Sequence, residues 1–260
     1  MRKSTDICLL CHERNSNKEN SHLIPKFFGK GIFEGTKPRH GIQISKSGEI
    51  SKSQDIIKED FLFCTDCEKG FSIFETYCAL RLGRFDNLRY YSQFKKCKRG
   101  EFKYFECNEV DIKVFNLFIY SIIWRISISN HYAFLNFNIP AKNEEELRKL
   151  IKEYIVTSQS ALLDKVDDLT ELPSHSHVII RPKKKLRPPG SMLSAASLGD
   201  NIYLLHLVDY LVFYVTEKDK LIQDYKEIDN NNLDRKVRIG LTDPKLWREF
   251  NFNLINKFRK

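Results

Sequence analysis

The chain lacks an apolar run long enough to cross a membrane. Its best stretch, Val114 to Ile128, is broken by Asn116 and Arg125 and falls short of the roughly 20 residues that a span requires. It also lacks the apolar core of a secretory signal, because Met1-Arg2-Lys3-Ser4-Thr5-Asp6 leads straight into a cysteine pair. The seven cysteines are an odd number, and four of them form pairs separated by only two residues. That spacing argues against a secreted disulfide framework. No internal repeat is visible, and Asn230-Asn231-Asn232 reads as a short polar turn. Together these absences lead us to expect a cytoplasmic protein with no membrane partner.

What is present is a basic globular chain. Its 260 residues are 42% hydrophobic and 30% charged, with a formal net charge of +9. That length allows one large domain or two modest ones. The charge favours a polyanionic partner, DNA or RNA first. The 19 Phe and 11 Tyr are expected mostly to fill the core, although exposed aromatics can stack on bases.

The sharpest pattern is Cys8-Leu9-Leu10-Cys11 and Cys64-Thr65-Asp66-Cys67. Four thiolates at this spacing can close a tetrahedral Zn²⁺ site. Such a cage leaves no position for substrate water, so Cys8, Cys11, Cys64 and Cys67 are expected to be structural zinc ligands. Cys78, Cys97 and Cys107 read as ordinary thiols. Between the pairs lies Ser21-His22-Leu23-Ile24-Pro25-Lys26.

The expected organisation is α+β, with a zinc module over residues 1–90 and a helical plus β-rich region of unknown role over 91–260. Within the module, Ile42 and Ile44 suggest a hairpin turning at Ser47-Gly48. Phe71, Phe74, Tyr77, Cys78 and Leu82 recur at helical steps, with Gly83 as the stop. A second helix is expected from near Glu109 through Ile126. It is apolar nearly all round and therefore buried. A third is expected over residues 143–157, with Asn143 as N-cap and Glu144 to Glu146 complementing the dipole. Beyond Pro173, His177 to Ile180 and Ile202 to Tyr214 read as antiparallel strands. Pro244 to Phe258 reads as a last amphipathic helix. His175 and His177 fall on one strand face, where a metal is conceivable, although a loop reading is preferred.

Cys8 to Cys11, Ser21 to Lys26 and Phe61 to Glu75 resemble the HNH, or ββα-metal, nuclease family in its zinc-bearing form. The resemblance is closest to a bacterial subgroup written Cys-x-x-Cys, Ser-His-Ile-Ile-Pro-Lys, Cys-x-x-Cys-Glu, and extends to Ile122-Ile123-Trp124-Arg125-Ile126-Ser127. It implies a treble-clef-like ββα-metal fold for the module. It also implies phosphodiester hydrolysis with His22 as general base and a catalytic Mg²⁺ or Mn²⁺ ion. Glu68 would be the principal ligand of that ion, with Asp66 and Glu75 as weaker candidates. Ser21 stands where the family has Asp, and Glu68 where it has His or Asn. Glu59 or Asp60 would stand for the middle Asn. By analogy the resemblance suggests phage defence or a mobile element, with the C-terminal region answering to a regulatory protein or ligand. The alternative is a catalytically inactive zinc-binding module that contacts nucleic acid or protein.

Two basic clusters can hold a phosphate backbone. One is Lys95, Lys96, Lys98, Arg99 and Lys103; the other is Arg181, Lys183, Lys184, Lys185 and Arg187. Arg81, Arg84 and Arg89, near the end of the module helix, and Lys26 complete the nucleic-acid candidates.

Overall fold

The computed structural model of the chain describes residues 2–33, 41–44, 50–53, 55–82, 94–100, 102–134, 136–183, 192–199 and 201–249. At its centre is α3 (Ile112–Ser127), in which every residue except Lys113 is buried. Asp111 starts it, its carboxylate accepting from the Lys113 and Val114 N–H groups at 2.8 and 3.1 Å. A helix apolar on all sides needs partners on all sides, and α3 has them. It packs against α2 (Thr65–Leu82), α4 (Ala141–Tyr154) and α5 (Gln159–Val166).

The sheet that α3 lies on contains seven strands. These are β5 (Phe94–Arg99), β6 (Phe102–Cys107), β7 (Ser176–Pro182), β8 (Met192–Gly199), β9 (Ile202–Val208), β10 (Tyr210–Val215) and β11 (Val237–Thr242). Their spatial order is β5-β6-β11-β7-β10-β9-β8. The expectation of an antiparallel C-terminal region holds except at β11 and β7, which pair in parallel. The sheet also recruits β5 and β6 from the stretch read only as a basic cluster. The apolar run from Ile202 to Tyr214 is two strands, because Val208 (φ 62°) and Asp209 turn the chain between them.

The remaining elements frame the cysteines. They are β1 (Ser21–His22), α1 (Lys26–Phe33), the hairpin of β2 (Gly41–Ile44) and β3 (Ile50–Ser53), and β4 (Lys58–Glu59), which pairs with β1. The expected turn at Ser47-Gly48 lies outside the described residues, as does Gly83 beyond the end of α2. Helix α4 starts at Pro140 rather than at Asn143, whose amide nitrogen instead lies 2.6 Å from His175 Nε2. The tail is helical over 244–249, and the rest of the expected helix lies outside the described residues.

One buried cluster runs from Cys8 through α2 and α3 to Ile239, so the cysteine-bearing segment and the sheet share a core. Phe63, Phe71, Phe74, Phe115, Phe118, Phe134 and Phe137 are among its largest fully buried side chains, the packing role expected of most aromatics. The other sheet face is covered by Leu221, Ile228 and Trp247. Among the described residues no helix is long and apolar enough to cross a membrane.

His175, His177 and His206 are fully buried, and among the described residues no metal-ligand group forms around them. Burial pushes their pKa values down to about 4, 3 and 4 respectively. The unfolded chain takes up protons at these positions below about pH 6.5, while the folded chain does not. Their stability contribution is therefore complete above pH 6.5 and is lost as pH falls towards 4. Asp229, whose carboxyl burial raises, opposes this as it takes up its proton in the folded chain. Between pH 6.5 and 5 we expect a loss of about 1–2 kcal/mol per histidine. His177→Phe should flatten the slope by one proton's worth in denaturant titrations. A stability unchanged between pH 7 and 5 would contradict the assignment.

Candidate metal centre and the Arg125 junction

The first cysteine pair is a tight knuckle. His12, at φ 57°, donates its N–H to the Cys8 carbonyl at 3.0 Å. Leu9 N–H bonds the Leu62 carbonyl at 3.0 Å, which brings the first pair beside the residues that precede Cys64. Cys64 sits at the start of α2, where the Asn17 side-chain oxygen accepts from Thr65 N at 3.0 Å and satisfies an end-of-helix N–H. Helix α4 braces the outside of the knuckle, with Arg148 donating to the Leu10 carbonyl at 2.8 Å and Lys152 pairing with Glu13 at 2.7 Å.

The four sulfurs that result lie within 4.8 Å of one another, all buried, with Cys11 and Cys64 Sγ 4.0 Å apart. A zinc ion at ~2.3 Å from each thiolate places sulfurs about 3.8 Å apart, so this cage is compatible with zinc. The thiol of Cys67 bonds the Cys8 sulfur, which pulls the Cys8 pKa down to about 4 and drives that of Cys67 up. A proton shared in this way is what a metal ion displaces. The cage is closed by its four ligands, and Asp66, beside it, is exposed and paired with Arg14.

The neighbouring polar junction is built on Arg125, which the sequence marked as an interruption of an apolar run and as part of the run that resembles the nuclease subgroup, but to which it assigned no role. Its guanidinium is 1% exposed. Nη1 donates to the His22 carbonyl at 2.8 Å and to Glu75 Oε1 at 2.7 Å, and Nε donates to the Ser121 carbonyl at 3.1 Å. The plane sits 4.8 Å over the Phe71 ring. Through this one side chain, β1, α2 and α3 meet.

Four buried polar atoms around this junction complete no hydrogen bond among the described residues: Ser21 Oγ, His22 Nε2, Glu68 Oε2 and Arg125 Nη2. Burial raises the Glu68 pKa, and the Arg125 charge and the nearby Ser21 hydroxyl offset it only in part. Burial and Lys58 lower that of His22, despite Asp55 and Glu75. His22 is therefore neutral at pH 7 and able to accept a proton. Such orphaned groups are rare in folded proteins and call for a partner.

The sequence candidates divide accordingly. His22, Glu68 and Glu75 surround one junction. Even so, the cysteines are the one group of three or more His, Cys, Asp or Glu side chains among the described residues that could hold a metal ion. Glu68 and Glu75 lie two turns apart on α2, about 10 Å along the axis. A divalent ion here would take Glu68 as its protein ligand, with Ser21 beside it. Glu59 and Asp60 are engaged elsewhere, accepting from Ser129 Oγ at 2.6 Å and Asn20 N at 2.7 Å. Arg81 lies 3.6 Å over the Tyr77 ring and donates to the Tyr77 and Glu109 carbonyls. Lys26 and Lys183 are exposed. Arg84, Arg89, Lys184, Lys185 and Arg187 lie outside the described residues.

No family model, curated protein or solved structure matches the chain significantly. The likeness to HNH nucleases therefore rests on the motif residues themselves.

Two outcomes follow from the geometry. Cys64→Ser, or metal removal by a strong chelator, should cost roughly 10 kcal/mol and unfold the cysteine-bearing segment. Metal analysis should find one zinc per chain, and a metal-free chain that melts unchanged would refute the cage. Glu75→Gln should destabilise by about 3–5 kcal/mol in denaturant titration, because it leaves the Arg125 charge buried without its carboxylate. A cost below about 1 kcal/mol would show that the pair is not holding the junction.

Proposed function

We propose that the protein is a divalent-metal-dependent nuclease that hydrolyses phosphodiester bonds of DNA or RNA at the Arg125 junction. The observation that carries this reading is the gathering of four orphaned buried polar atoms, a base, an acid, a hydroxyl and a guanidinium, beside a cysteine cage. In this reading His22 Nε2 takes a proton from water as the water oxygen attacks phosphorus. The P–O bond to the leaving oxygen breaks, and that oxygen takes up a proton to become a hydroxyl. Arg125 holds the His22 backbone and Glu75 in place through Nη1. A Mg²⁺ or Mn²⁺ ion beside Glu68 would neutralise charge on the scissile phosphate. The raised pKa of Glu68 suits a carboxylate awaiting such a cation.

A second reading is favoured by one specific fact. Ser21 stands where the family resemblance implies an Asp ligand, and among the described residues Glu68 belongs to no group of three or more His, Cys, Asp or Glu side chains that could hold an ion. On that reading the chain is a zinc-organised module that binds nucleic acid or protein without cutting it.

Incubation of zinc-loaded protein with plasmid DNA and with RNA, in Mg²⁺ or Mn²⁺, separates the two. The nuclease reading expects cleavage that His22→Ala reduces by about 10²–10⁴-fold, the usual share of a general base, with an unchanged melting profile. EDTA should abolish it. Folded, zinc-bound protein that cuts neither substrate would leave the binding module as the better account.

A further inference from the structure

At one end of the sheet β7 and β11 begin and β10 ends. A cleft of about 390 Å³ opens there. Residues 170–174, which lead into β7, supply one wall, and residues 231–234, which lead towards β11, supply the other. Lys218, just past β10, completes the lining. The volume lies at the lower end of the roughly 300–1,000 Å³ typical of small-molecule sites. The nuclease reading makes no use of this cleft.

The walls are pinned by the buried side chain of Asn231. The Tyr120 hydroxyl on α3 donates to Asn231 Oδ1 at 2.8 Å, and Asn231 Nδ2 donates to the Pro173 carbonyl at 2.9 Å. One side chain thus ties the two walls together and fastens them to the helix that carries Arg125. Asn232 Oδ1 accepts from Asp234 N–H at 3.0 Å, which fixes the turn that presents Asp234. A cleft held in shape by its own bonds loses little ordering entropy when a ligand enters. Two opposite charges line it without answering each other. Lys218 and Asp234 are both exposed, and among the described residues neither completes an ion pair or a side-chain hydrogen bond. The buried Asp229 carboxyl feels the Lys218 charge, but its oxygens already accept from the Ser176 hydroxyl at 2.9 Å and from Asn231 N–H at 3.0 Å. Beside the charges lie Leu172 and Leu233, both half-buried.

We propose that this cleft is a binding site for a free α-amino acid with an apolar side chain. Lys218 takes the ligand carboxylate, Asp234 takes its ammonium, and Leu172 and Leu233 receive its side chain. A purely anionic ligand would bring its charge beside Asp234, and a purely cationic one beside Lys218. Like charges placed together oppose binding. A neutral apolar ligand would leave both cleft charges unanswered. A free amino acid is the smallest common molecule that carries the two charges on one carbon, with an apolar body to displace water from the leucines.

The test is isothermal titration calorimetry of the full-length, zinc-loaded protein with leucine, methionine and phenylalanine. At least one should bind with a submillimolar Kd. Its deaminated and decarboxylated analogues, isocaproate and isoamylamine in the case of leucine, should each bind about tenfold more weakly, the usual loss of one charged hydrogen bond. Lys218→Gln should weaken the amino acid by about the same factor and leave the amine analogue unchanged. Asp234→Asn should weaken the amino acid likewise and leave the acid analogue unchanged. Lys220→Gln, exposed and outside the lining, should change affinity by less than roughly twofold. Lys218, Lys220 and Asp234 are all exposed, so the melting profiles of these variants should match that of the parent. Failure of all three amino acids to bind at millimolar concentration would overturn the proposal. So would isocaproate or isoamylamine binding as tightly as leucine, or equal losses in Lys218→Gln and Lys220→Gln.

Discussion

The interaction on which the rest depends is the burial of the Arg125 guanidinium. A lone charge inside a protein is costly, and α3 would be more stable with an apolar residue there unless the charge were answered. It is answered from two other segments, by the Glu75 carboxylate on α2 and the His22 carbonyl on β1, with Phe71 beneath the plane. The apolar packing of α3 therefore becomes the device that sets His22 and Glu75 relative to each other. The cysteine cage sets the other end of the same arrangement. It joins the first knuckle to the start of α2 and so determines where Glu68 and Glu75 begin. Neither constraint suffices alone, because α2 could rotate about the cage without Arg125 or slide along α3 without the cage.

How much of this was legible in the sequence depends on how local the signal was. The cage was readable because two pairs with the same spacing are improbable by chance and metal chemistry needs nothing else. The buried α3 was readable because its residues are apolar on every side. β5 and β6 were not, because exposed lysines mask the two-residue period that Phe94, Phe102 and Tyr104 only partly show. The turn within 202–215 was hidden because Val208 takes a positive φ without any Gly or Asn to announce it. The start of α4 was misplaced because Asn143, a good N-cap by type, is used by His175 instead. The short α5 had a conventional Ser158 cap, accepting from Ala161 N at 3.2 Å, which sequence reasoning passed over.

The candidate site shows the same division. Motif order singled out His22 and Glu68, but their setting was not legible. Arg125 carried a signal, a single charge in an otherwise apolar helix, and such a residue is retained only when something specific answers it. What the sequence alone could not supply was the partner, since Glu75 is 50 residues away.

The proposal to test first is that the Arg125 junction binds a catalytic divalent ion beside Glu68. Titration of Mn²⁺ into zinc-loaded protein, followed by the loss of the free-ion electron paramagnetic resonance signal, tests it most directly. The account predicts one Mn²⁺ per chain beyond the zinc, held about tenfold or more weakly in Glu68→Gln, the range typical of losing a metal-site contact. No Mn²⁺ bound at millimolar concentration, or equal affinity in the two proteins, would contradict it.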